Sequence, residues 1–342
     1  MVDRNALASQ GSAKIVMKKV VIAVVSVLVV LVAATFGAGW YMLDYALTPP
    51  ADRSDMVKRY NRMYAEYPYM RQWVDSMKTA KALRDTFVTM PDGERHHAVY
   101  ARNDSAAGRT AILVHGYTDS HAAMLPIAKV YADMGYNILL PDLHAHGLSD
   151  GDEIQMGWND REDVLRWIGV ADSLFAGVAG RPQIVLHGVS MGAATVMNVS
   201  GERLPASVKC FVEDCGYTSV WDEFACQLDE QFGLPPFPVL YAASALCKLR
   251  YGWTFGEASP VRQLARKETP MLFIHGSSDD YVPSWMVFPL YNANPVHPVH
   301  GGTYHHFNDI WITLGCAHAR SFHDYPAEYA RRVERFVGEF IH

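Results

Sequence analysis

The first pattern along the chain is an unbroken apolar run, VVIAVVSVLVVLVAATFGAGWYML, at residues 20–43. It contains no charged residue and follows Lys14, Lys18 and Lys19. As a helix it would reach roughly 36 Å, enough to cross a hydrocarbon core of about 30 Å. A cleavable signal peptide has a shorter apolar region, of about 7–15 residues. We therefore predict an uncleaved transmembrane signal-anchor at 20–43, preceded by a cytoplasmic segment at 1–19.

Charges on either side of this run indicate its orientation. Lysines precede it, whereas Asp44, Asp52 and Asp55 follow it. Positive residues flanking a span stay in the cytoplasm. We expect a single helix to hold the protein in the membrane, with the rest of the chain extracytoplasmic, on the periplasmic or cell-surface side.

Beyond the anchor the pattern becomes that of a mixed helix and strand domain. Residues 44–84 form a linker or N-terminal extension, in which 51–84 predict one or two amphipathic helices. The runs DTFVTM and HHAVYAR flank the turn signal PDGE and predict a hairpin. From Thr110 onward, short apolar strands alternate with helical patterns, which indicates a mostly parallel sheet flanked by helices. The predicted strands are TAILVH, NILLPD, QIVLHG, VKCFVED, MLFIHG and FNDIWITLG, before a final helix EYARRVERFVGEF.

The alternation is interrupted between about 217 and 268. This segment is rich in aromatics, prolines and small residues and has no clear strand. We predict that it is a helical lid inserted into an α/β domain that spans 85–342. Its aromatic residues either line an apolar pocket or only pack the lid on the body; they are Trp221, Phe224, Phe232, Phe237, Tyr241, Trp253 and Phe255.

Composition excludes some classes of partner. A net charge of −6 and a pI near 6.2 give no basic surface for nucleic acid, and no run of Lys and Arg alternates with aromatics. We expect no nucleic-acid partner. The chain has five cysteines and no C-x-x-C pair, which disfavours a zinc knot or a redox motif. Outside the cytoplasm a disulfide is permitted, and Cys226 with Cys247 is the favoured pair because both lie in one irregular segment.

The pattern G-x-S-x-G, typical of a nucleophilic serine, occurs twice. In LHGVSMGAAT, Ser190 follows an apolar strand and precedes a helix, which is the context of a nucleophile elbow. In HGLSDGD, Ser149 lies in a polar, Gly-rich stretch after a strand has already ended. We therefore predict Ser190 as the nucleophile.

A serine nucleophile needs a base and an acid that orients the base, each in a loop after a later strand. The strand MLFIHG is followed by SSDDYVP, which supplies Asp279 and Asp280. The strand DIWITLG is followed by His318, while His323 lies deeper in the next loop. We expect His318 to be the base, with His323 as the rival.

Two backbone N–H groups should bind the oxygen that gains charge during acyl transfer. One is expected from Met191, directly after the nucleophile. The other is expected from the loop HGYTDS after the strand TAILVH, where Tyr117 is the best candidate. Their side chains can equally be walls of the pocket.

These motifs together resemble the α/β-hydrolase superfamily. ILVHGYTDS, NILLPDLHAHGLSDGD, LHGVSMGAAT and FIHGSSDDYVP occur in its order over about residues 85–340. The chain is most similar to bacterial membrane-anchored or exported serine hydrolases grouped with serine aminopeptidase-like and S9-type peptidases. LHAHGLSDG resembles the family's D-x-R-G-H-G-x-S loop, with His144 in place of Arg and Ala145 in place of a glycine or small residue. The frame D-x-x-V-P favours Asp279 as the acid, with Asp280 as the alternative.

The resemblance and the residues predict a serine hydrolase with the triad Ser190, His318 and Asp279. A carboxylic ester is the first substrate class, and a small peptide or aminoacyl amide the second. A third hypothesis is a binding module that keeps the fold without catalysis. No cofactor or metal is predicted. Adjacent histidines in a strand face opposite ways, so pairs such as His96 with His97 or His305 with His306, and likewise His144 with His146, are not expected to chelate one ion.

Overall fold

A central sheet organises the chain in the computed structural model, which describes residues 4–176, 180–293 and 308–342. Within these residues the sheet has eight strands, in the order β1-β2-β4-β3-β5-β6-β7-β8. The strands are β1 (Leu83–Thr89), β2 (Arg95–Ala101), β3 (Arg109–Val114), β4 (Asn137–Pro141), β5 (Gln183–Val189), β6 (Val208–Asp214), β7 (Met271–Gly276) and β8 (Asn308–Thr313). The hairpin β1–β2 and the pair β2–β4 are antiparallel, and all other pairs are parallel. The predicted mostly parallel sheet is confirmed.

Helices cover both faces of this sheet. They are α1 (Arg4–Leu47), α2 (Met56–Glu66), α3 (Met70–Thr79), α4 (His121–Asp133), α5 (Asp160–Leu174), α6 (Met191–Ser200), α7 (Val220–Phe232), α8 (Val239–Tyr251), α9 (Pro260–Leu264), α10 (Val287–Ala293), α11 (Ser321–Asp324) and α12 (Pro326–Gly338). Successive side chains of a strand point to opposite faces. In β3, Ile112 and Val114 join the core shared with α5, α6 and the lid, whereas Ala111 and Leu113 join the core shared with α2, α3, α4 and α12.

The long N-terminal helix α1 is the one described helix that is long and apolar enough to cross a membrane, over Met17–Leu47. Its apolar side chains between Val20 and Val32 are exposed. Further along, Leu43 and Leu47 are buried in the core. The expected boundary between anchor and linker, at residues 43 and 44, therefore falls inside one continuous helix whose last part belongs to the folded body.

The interrupted segment contains three helices, α7, α8 and α9. The C-terminal part of α1 packs against α8, and a Cβ added to Gly39 would lie 2.8 Å from the backbone nitrogen of Ala243. Arg250 also donates to Asp44 at 2.6 Å. The N-terminal helix α1 and the lid are thus packed together.

All five cysteines are unbonded thiols, so the favoured Cys226–Cys247 disulfide is not formed. Cys226 lies on α7 and Cys247 on α8, and each packs into the hydrophobic core that the lid shares with the body.

Candidate active site

Ser190 occupies a sharp turn between β5 and α6. Its backbone has φ 57° and ψ −119°, a conformation that costs energy for a residue other than glycine. The flanking glycines allow the close approach that the turn requires. A Cβ on Gly188 would lie 2.1 Å from the carbonyl oxygen of Gly192, and one on Gly192 would lie 2.1 Å from that of Val114. The G-x-S-x-G pattern is therefore a packing requirement at this position.

The structure brings together the three side chains predicted to act on the substrate. Ser190 Oγ lies 2.8 Å from His318 Nε2, and His318 Nδ1 lies 2.8 Å from Asp279 Oδ2. The rival residues are placed elsewhere: His323 contacts Asp324 and Arg320, and Asp280 has no recorded contact with either histidine among the described residues. The serine, acid and base occur in that order along the chain. In the structure they form one hydrogen-bonded row in which the base His318 lies between Ser190 and Asp279.

Asp279 is fixed as a carboxylate by several neighbours. Its Oδ1 accepts the backbone N–H groups of Tyr281 and Val282, at 3.1 and 2.9 Å. His275 Nε2 lies 3.3 Å from its other oxygen. Burial alone raises the pKa of Asp279, but the hydrogen bonds from His275 and His318 outweigh burial and hold the pKa below its usual value. The acid is therefore ionised at neutral pH and able to orient His318.

The two backbone N–H groups expected to bind an oxyanion flank Ser190. Tyr117 follows β3 beside Gly116, whose added Cβ would lie 3.3 Å from Ser190 Cβ, and Met191 begins α6. Within the described chain, neither backbone N–H has a recorded hydrogen-bond partner. The Tyr117 hydroxyl donates to the carbonyl of Ala46 in α1 at 2.8 Å. The loop next to Ser190 is thereby tied to helix α1.

The second serine pattern lies in a structural loop. Ser149 is buried and donates to the carbonyl of Asp142 at 2.7 Å, while it accepts the backbone N–H of His97 at 2.9 Å. Ala145 in the same loop has φ 59°, the left-handed region in which glycine is favoured. Both hydrogen-bonding capacities of Ser149 are used to hold the loop.

Ser190 lies on the walls of two cavities. The first, of about 360 Å³, is apolar and is formed by α1 and the lid; among its wall residues are Met42, Phe224, Leu228, Leu240, Phe255 and Val282. The second, of about 620 Å³, also contains His318 and is rich in charge; among its wall residues are Arg59, Arg62, Glu66, Asp119 and Arg320. An apolar space and a polar space therefore meet at the same serine.

The aromatic residues of the lid divide between the two roles that the sequence left open. Phe224, Phe232 and Phe255 line the apolar cavity. Trp253 is buried in the core, and Trp221 stacks edge-on against Tyr241. Phe237 is exposed and packs on Tyr241.

Three acidic residues near the site were missed by the sequence analysis. Glu223 of α7 lines the apolar cavity, and burial raises its pKa to about 8. Glu213 and Asp214 end β6 beside the nucleophile, and burial raises their pKa values to about 8 and about 6. No motif marks these residues, because their role depends on which side chains the fold places around them. A carboxylate at the end of a core strand is the signal that would have found Glu213 and Asp214.

One group of metal-ligand atoms overlaps this site, formed by Cys215, Asp279 and His318. Burial raises the pKa of the Cys215 thiol well above its usual value, so the thiolate form that binds metals is disfavoured. Asp279 and His318 are already engaged with each other. This arrangement suits proton transfer better than metal binding.

Comparisons with known proteins agree with this geometry. No family model matches the chain. The uncharacterized protein YqkD of Bacillus subtilis (strain 168) is 32% identical over 228 residues, which are 67% of this chain and 70% of YqkD. The solved Pyrococcus furiosus esterase Pf2001 superposes with a TM-score of 0.59 at 23% identity, over 76% of this chain and 92% of the esterase. The chain therefore belongs to the same family as YqkD, and its fold is that of the α/β-hydrolases.

A second relative matches over a shorter stretch. The thermostable monoacylglycerol lipase of Bacillus sp. (strain H-257) is 30% identical over 99 residues, 29% of this chain and 36% of the lipase. In this chain an N-terminal helix contributes to the wall of the cavity beside Ser190.

Proposed function

We propose that this α/β-hydrolase is a membrane-anchored serine hydrolase that cleaves carboxylic esters. The observation that carries the proposal is the hydrogen-bonded row from Ser190 Oγ through His318 to Asp279, with 2.8 Å at each step. A hydroxyl, an imidazole and an ionised carboxylate in this order convert a weak nucleophile into a strong one.

The residues have separate roles in the proposed reaction. Ser190 Oγ attacks the ester carbonyl while His318 Nε2 takes its proton, and the N–H groups of Tyr117 and Met191 stabilise the oxyanion. The protonated His318 then gives its proton to the leaving alcohol, which departs from the acyl-enzyme. Water, deprotonated by His318, attacks the acyl-enzyme and releases the acid. No metal or organic cofactor takes part.

The two cavities support an amphiphilic substrate. An acyl chain would lie in the apolar cavity between α1 and the lid, since burial of each methylene is worth about 0.8 kcal/mol. The alcohol part would lie in the polar cavity, where Arg59, Arg62 and Arg320 provide positive charge. The similar proteins described above, the esterase Pf2001 and the monoacylglycerol lipase, act in the same chemical class.

The proposed location follows from α1. Its exposed apolar stretch would lie in the membrane, with the lysines on the cytoplasmic side and the hydrolase domain outside the cytoplasm. Because Met42, Tyr45 and Ala46 of the same helix line the apolar cavity, an acyl chain would reach Ser190 from near the membrane surface.

A second candidate substrate is favoured by one observation. Glu223 places a buried carboxylate in the otherwise apolar cavity, and its Oε2 has no hydrogen-bond partner within the described chain. The α-amino group of an aminoacyl amide would pair with such a carboxylate. Cleavage of small peptides or aminoacyl amides is therefore the alternative activity.

The first experiment labels the full-length protein in detergent with a fluorophosphonate and maps the adduct by mass spectrometry. We expect the adduct on Ser190, its loss in Ser190→Ala, and its retention in Ser149→Ala. Absence of an adduct on folded protein would contradict a working triad and favour a binding module on a hydrolase fold.

A second experiment separates esters from peptides. We expect hydrolysis of p-nitrophenyl esters to exceed that of aminoacyl p-nitroanilides, and Glu223→Gln to leave ester hydrolysis in place. If Glu223→Gln instead abolishes a dominant aminoacyl-amide activity, the peptidase alternative is the correct one.

A further inference from the structure

A second chemically active cluster lies between the β1–β2 hairpin and the loop that follows β4. Glu94, His96 and His144 each present one ligand atom, and these atoms lie within 4.8 Å of one another. His96 and His144 are buried, while the Glu94 side chain is 33% exposed and open to solvent. The cluster shares no residue with the proposed triad or with the walls of the two cavities.

The three ligand atoms lie close together, with Glu94 between the two histidines. Glu94 Oε2 lies 3.3 Å from His96 Nε2 and 2.9 Å from His144 Nδ1. Ligands of a tetrahedral zinc ion, with bonds of about 2.0–2.1 Å, are separated by about 3.3 Å. The two imidazole centres are 5.5 Å apart at 65°, close to the separation of about 5 Å that two imidazoles on one zinc ion would have.

Each histidine also faces an outer carboxylate. His96 Nδ1 lies 3.2 Å from Asp163 Oδ2, and His144 Nε2 lies 3.6 Å from Glu153 Oε2. Neither of these ring nitrogens has a hydrogen bond within the described chain, although both are buried. Histidines that bind metals generally direct the second ring N–H at a carboxylate, which fixes the ring and its tautomer. Glu153 and Asp163 are placed for this role.

We propose that Glu94, His96 and His144 bind one Zn²⁺ ion through Oε2, Nε2 and Nδ1, with a water molecule as the fourth ligand. Asp163 and Glu153 accept the outward N–H groups of the two histidines. Two imidazoles and one carboxylate form a donor set that suits zinc better than it suits calcium or magnesium. The exposed edge of Glu94 provides the route for the ion.

The ion would join three segments that are distant in sequence. Glu94 and His96 belong to the hairpin, His144 and Glu153 to the loop after β4, and Asp163 to α5. The same loop carries His146, whose Nε2 accepts the N–H of Thr118 at 3.1 Å, directly after Tyr117. Zinc would therefore brace the loop that supports the backbone next to Ser190, and its role is structural.

The competing description is an ion-pair cluster that holds protons in place of a metal. Burial lowers the pKa of His144, but the nearby carboxylates of Glu153 and Glu94 outweigh it and raise the pKa to about 9. Zinc and protons would compete for the same nitrogens. Metal content and metal-dependent stability distinguish the two descriptions.

The test uses full-length, untagged protein in detergent, stripped with a chelator and dialysed against Zn²⁺. We expect one equivalent of zinc per chain by elemental analysis and a rise of several degrees in Tm on zinc addition. Co²⁺ substitution should give the visible absorption of a tetrahedral site. Asp163→Asn should weaken the zinc affinity about tenfold, the effect expected of an outer carboxylate.

Variants locate the ion. Glu94→Ala and His96→Ala should lose the bound zinc. Asp152→Asn, which changes an exposed acid in the loop after β4, should keep one equivalent of zinc per chain. His144→Arg is the variant that guards against misfolding, because Arg retains the charge that pairs with Glu94 and Glu153 but cannot bind zinc. Folded His144→Arg without zinc and without the Tm response supports the site. Zinc retained by Glu94→Ala and His144→Arg, or no zinc on folded wild-type protein, would overturn it.

Discussion

At the scale of single residues, the site depends on a strained serine that its neighbours hold in place. Ser190 adopts φ 57°, and the turn is possible because Gly188 and Gly192 have no side chain to meet the facing backbone. The strain is offset by packing around α6, in which every residue is buried. Small changes beside Ser190 should therefore affect both activity and stability.

Gly192→Ala is the sharpest change of this kind. Its Cβ would lie 2.1 Å from the carbonyl oxygen of Val114, so α6 must move away from β3. Displacement of a reacting group by about 1 Å costs about 100-fold in rate. We expect a lower Tm and a loss of at least that size in kcat/KM for p-nitrophenyl butyrate.

Gly169→Ala provides the control, because nothing lies within 4 Å of its added Cβ on the exposed side of α5. It should stabilise the protein by about 0.5–1 kcal/mol and leave kcat/KM unchanged. Wild-type activity and Tm in Gly192→Ala would contradict the packing argument.

Glu213 makes stability depend on pH. Burial raises its pKa to about 8, whereas the unfolded chain has the ordinary value of 4.5. Between these values the unfolded state releases the proton and the folded state keeps it, so stability falls as pH rises. Each pKa unit is worth about 1.4 kcal/mol, so the fall amounts to a few kcal/mol.

Glu213→Gln removes this titration. The Glu213 carboxyl accepts the N–H of Gly216 at 3.1 Å, and the amide oxygen of Gln can still accept it. The Tm of the variant relative to wild type should increase from pH 5 to pH 8. A constant difference across that range would show that Glu213 does not titrate as the burial indicates.

At the scale of elements, the important contact joins the N-terminal helix α1 to the lid. Gly39 lets α1 approach α8 closely, and Tyr45 donates to Gln231 of α7 at 2.9 Å. Tyr45 also stacks edge-on against Phe232. The lid is therefore braced by the long apolar helix α1, and the apolar cavity lies between them.

Gly39→Leu should open this contact. The new side chain would meet the backbone of Ala243 and the side chain of Ala242, which pushes α1 away from α8 and widens the apolar cavity. Losing contacts to two methylenes of an acyl chain costs about 1.6 kcal/mol, which corresponds to about a tenfold decrease in kcat/KM. We expect the ratio of kcat/KM for p-nitrophenyl laurate over butyrate to fall by about that factor.

Gly37→Leu is the matched control, since nothing lies within 4 Å of a Cβ at Gly37. It adds the same side chain to the same helix two residues earlier. Equal changes in both variants would show that the effect comes from adding a leucine anywhere on this part of α1 and not from the contact of α1 with α8.

At the scale of the whole molecule, the site is assembled from segments spread along almost the entire chain. Ala46 of α1 accepts the Tyr117 hydroxyl, and Leu47 accepts the backbone N–H of Ile154 in the loop after β4. The N-terminal helix thus contacts the lid, the loop next to the nucleophile and the supporting loop. It acts as part of the hydrolase domain as well as an apolar segment.

Truncation tests this arrangement. Removal of residues 1–47 would expose the face of α8 that carries Leu240 and Ala243 and would remove one wall of the apolar cavity. We expect a lower Tm and loss of the preference for long acyl chains, while fluorophosphonate still labels Ser190. Removal of residues 1–16 should leave both the Tm and the preference for long acyl chains unchanged. A 1–47 deletion with full stability and chain-length preference would contradict the packing role of α1.

The sequence predicted the elements closely where the signal is local. Each predicted strand of the sheet appears within one or two residues of its expected limits, and the helical insertion appears as α7, α8 and α9. Ser190 was distinguishable from Ser149 because an elbow needs a strand directly before it and a helix directly after it. The predicted pair His305 and His306 lies outside the described residues.

What the sequence determined by itself was therefore the pattern: a long apolar N-terminal helix, a mostly parallel sheet, and the order of serine, acid and base. These follow from neighbours in the chain, because periodicity and turn chemistry are local properties. Only the tertiary structure decided which histidine contacts Ser190, which acid contacts that histidine, and that α1 forms a cavity wall. The same holds for His96, which was judged against its sequence neighbour His97 but meets His144 in space. Contacts between distant residues depend on how elements pack, and no local pattern contains that information.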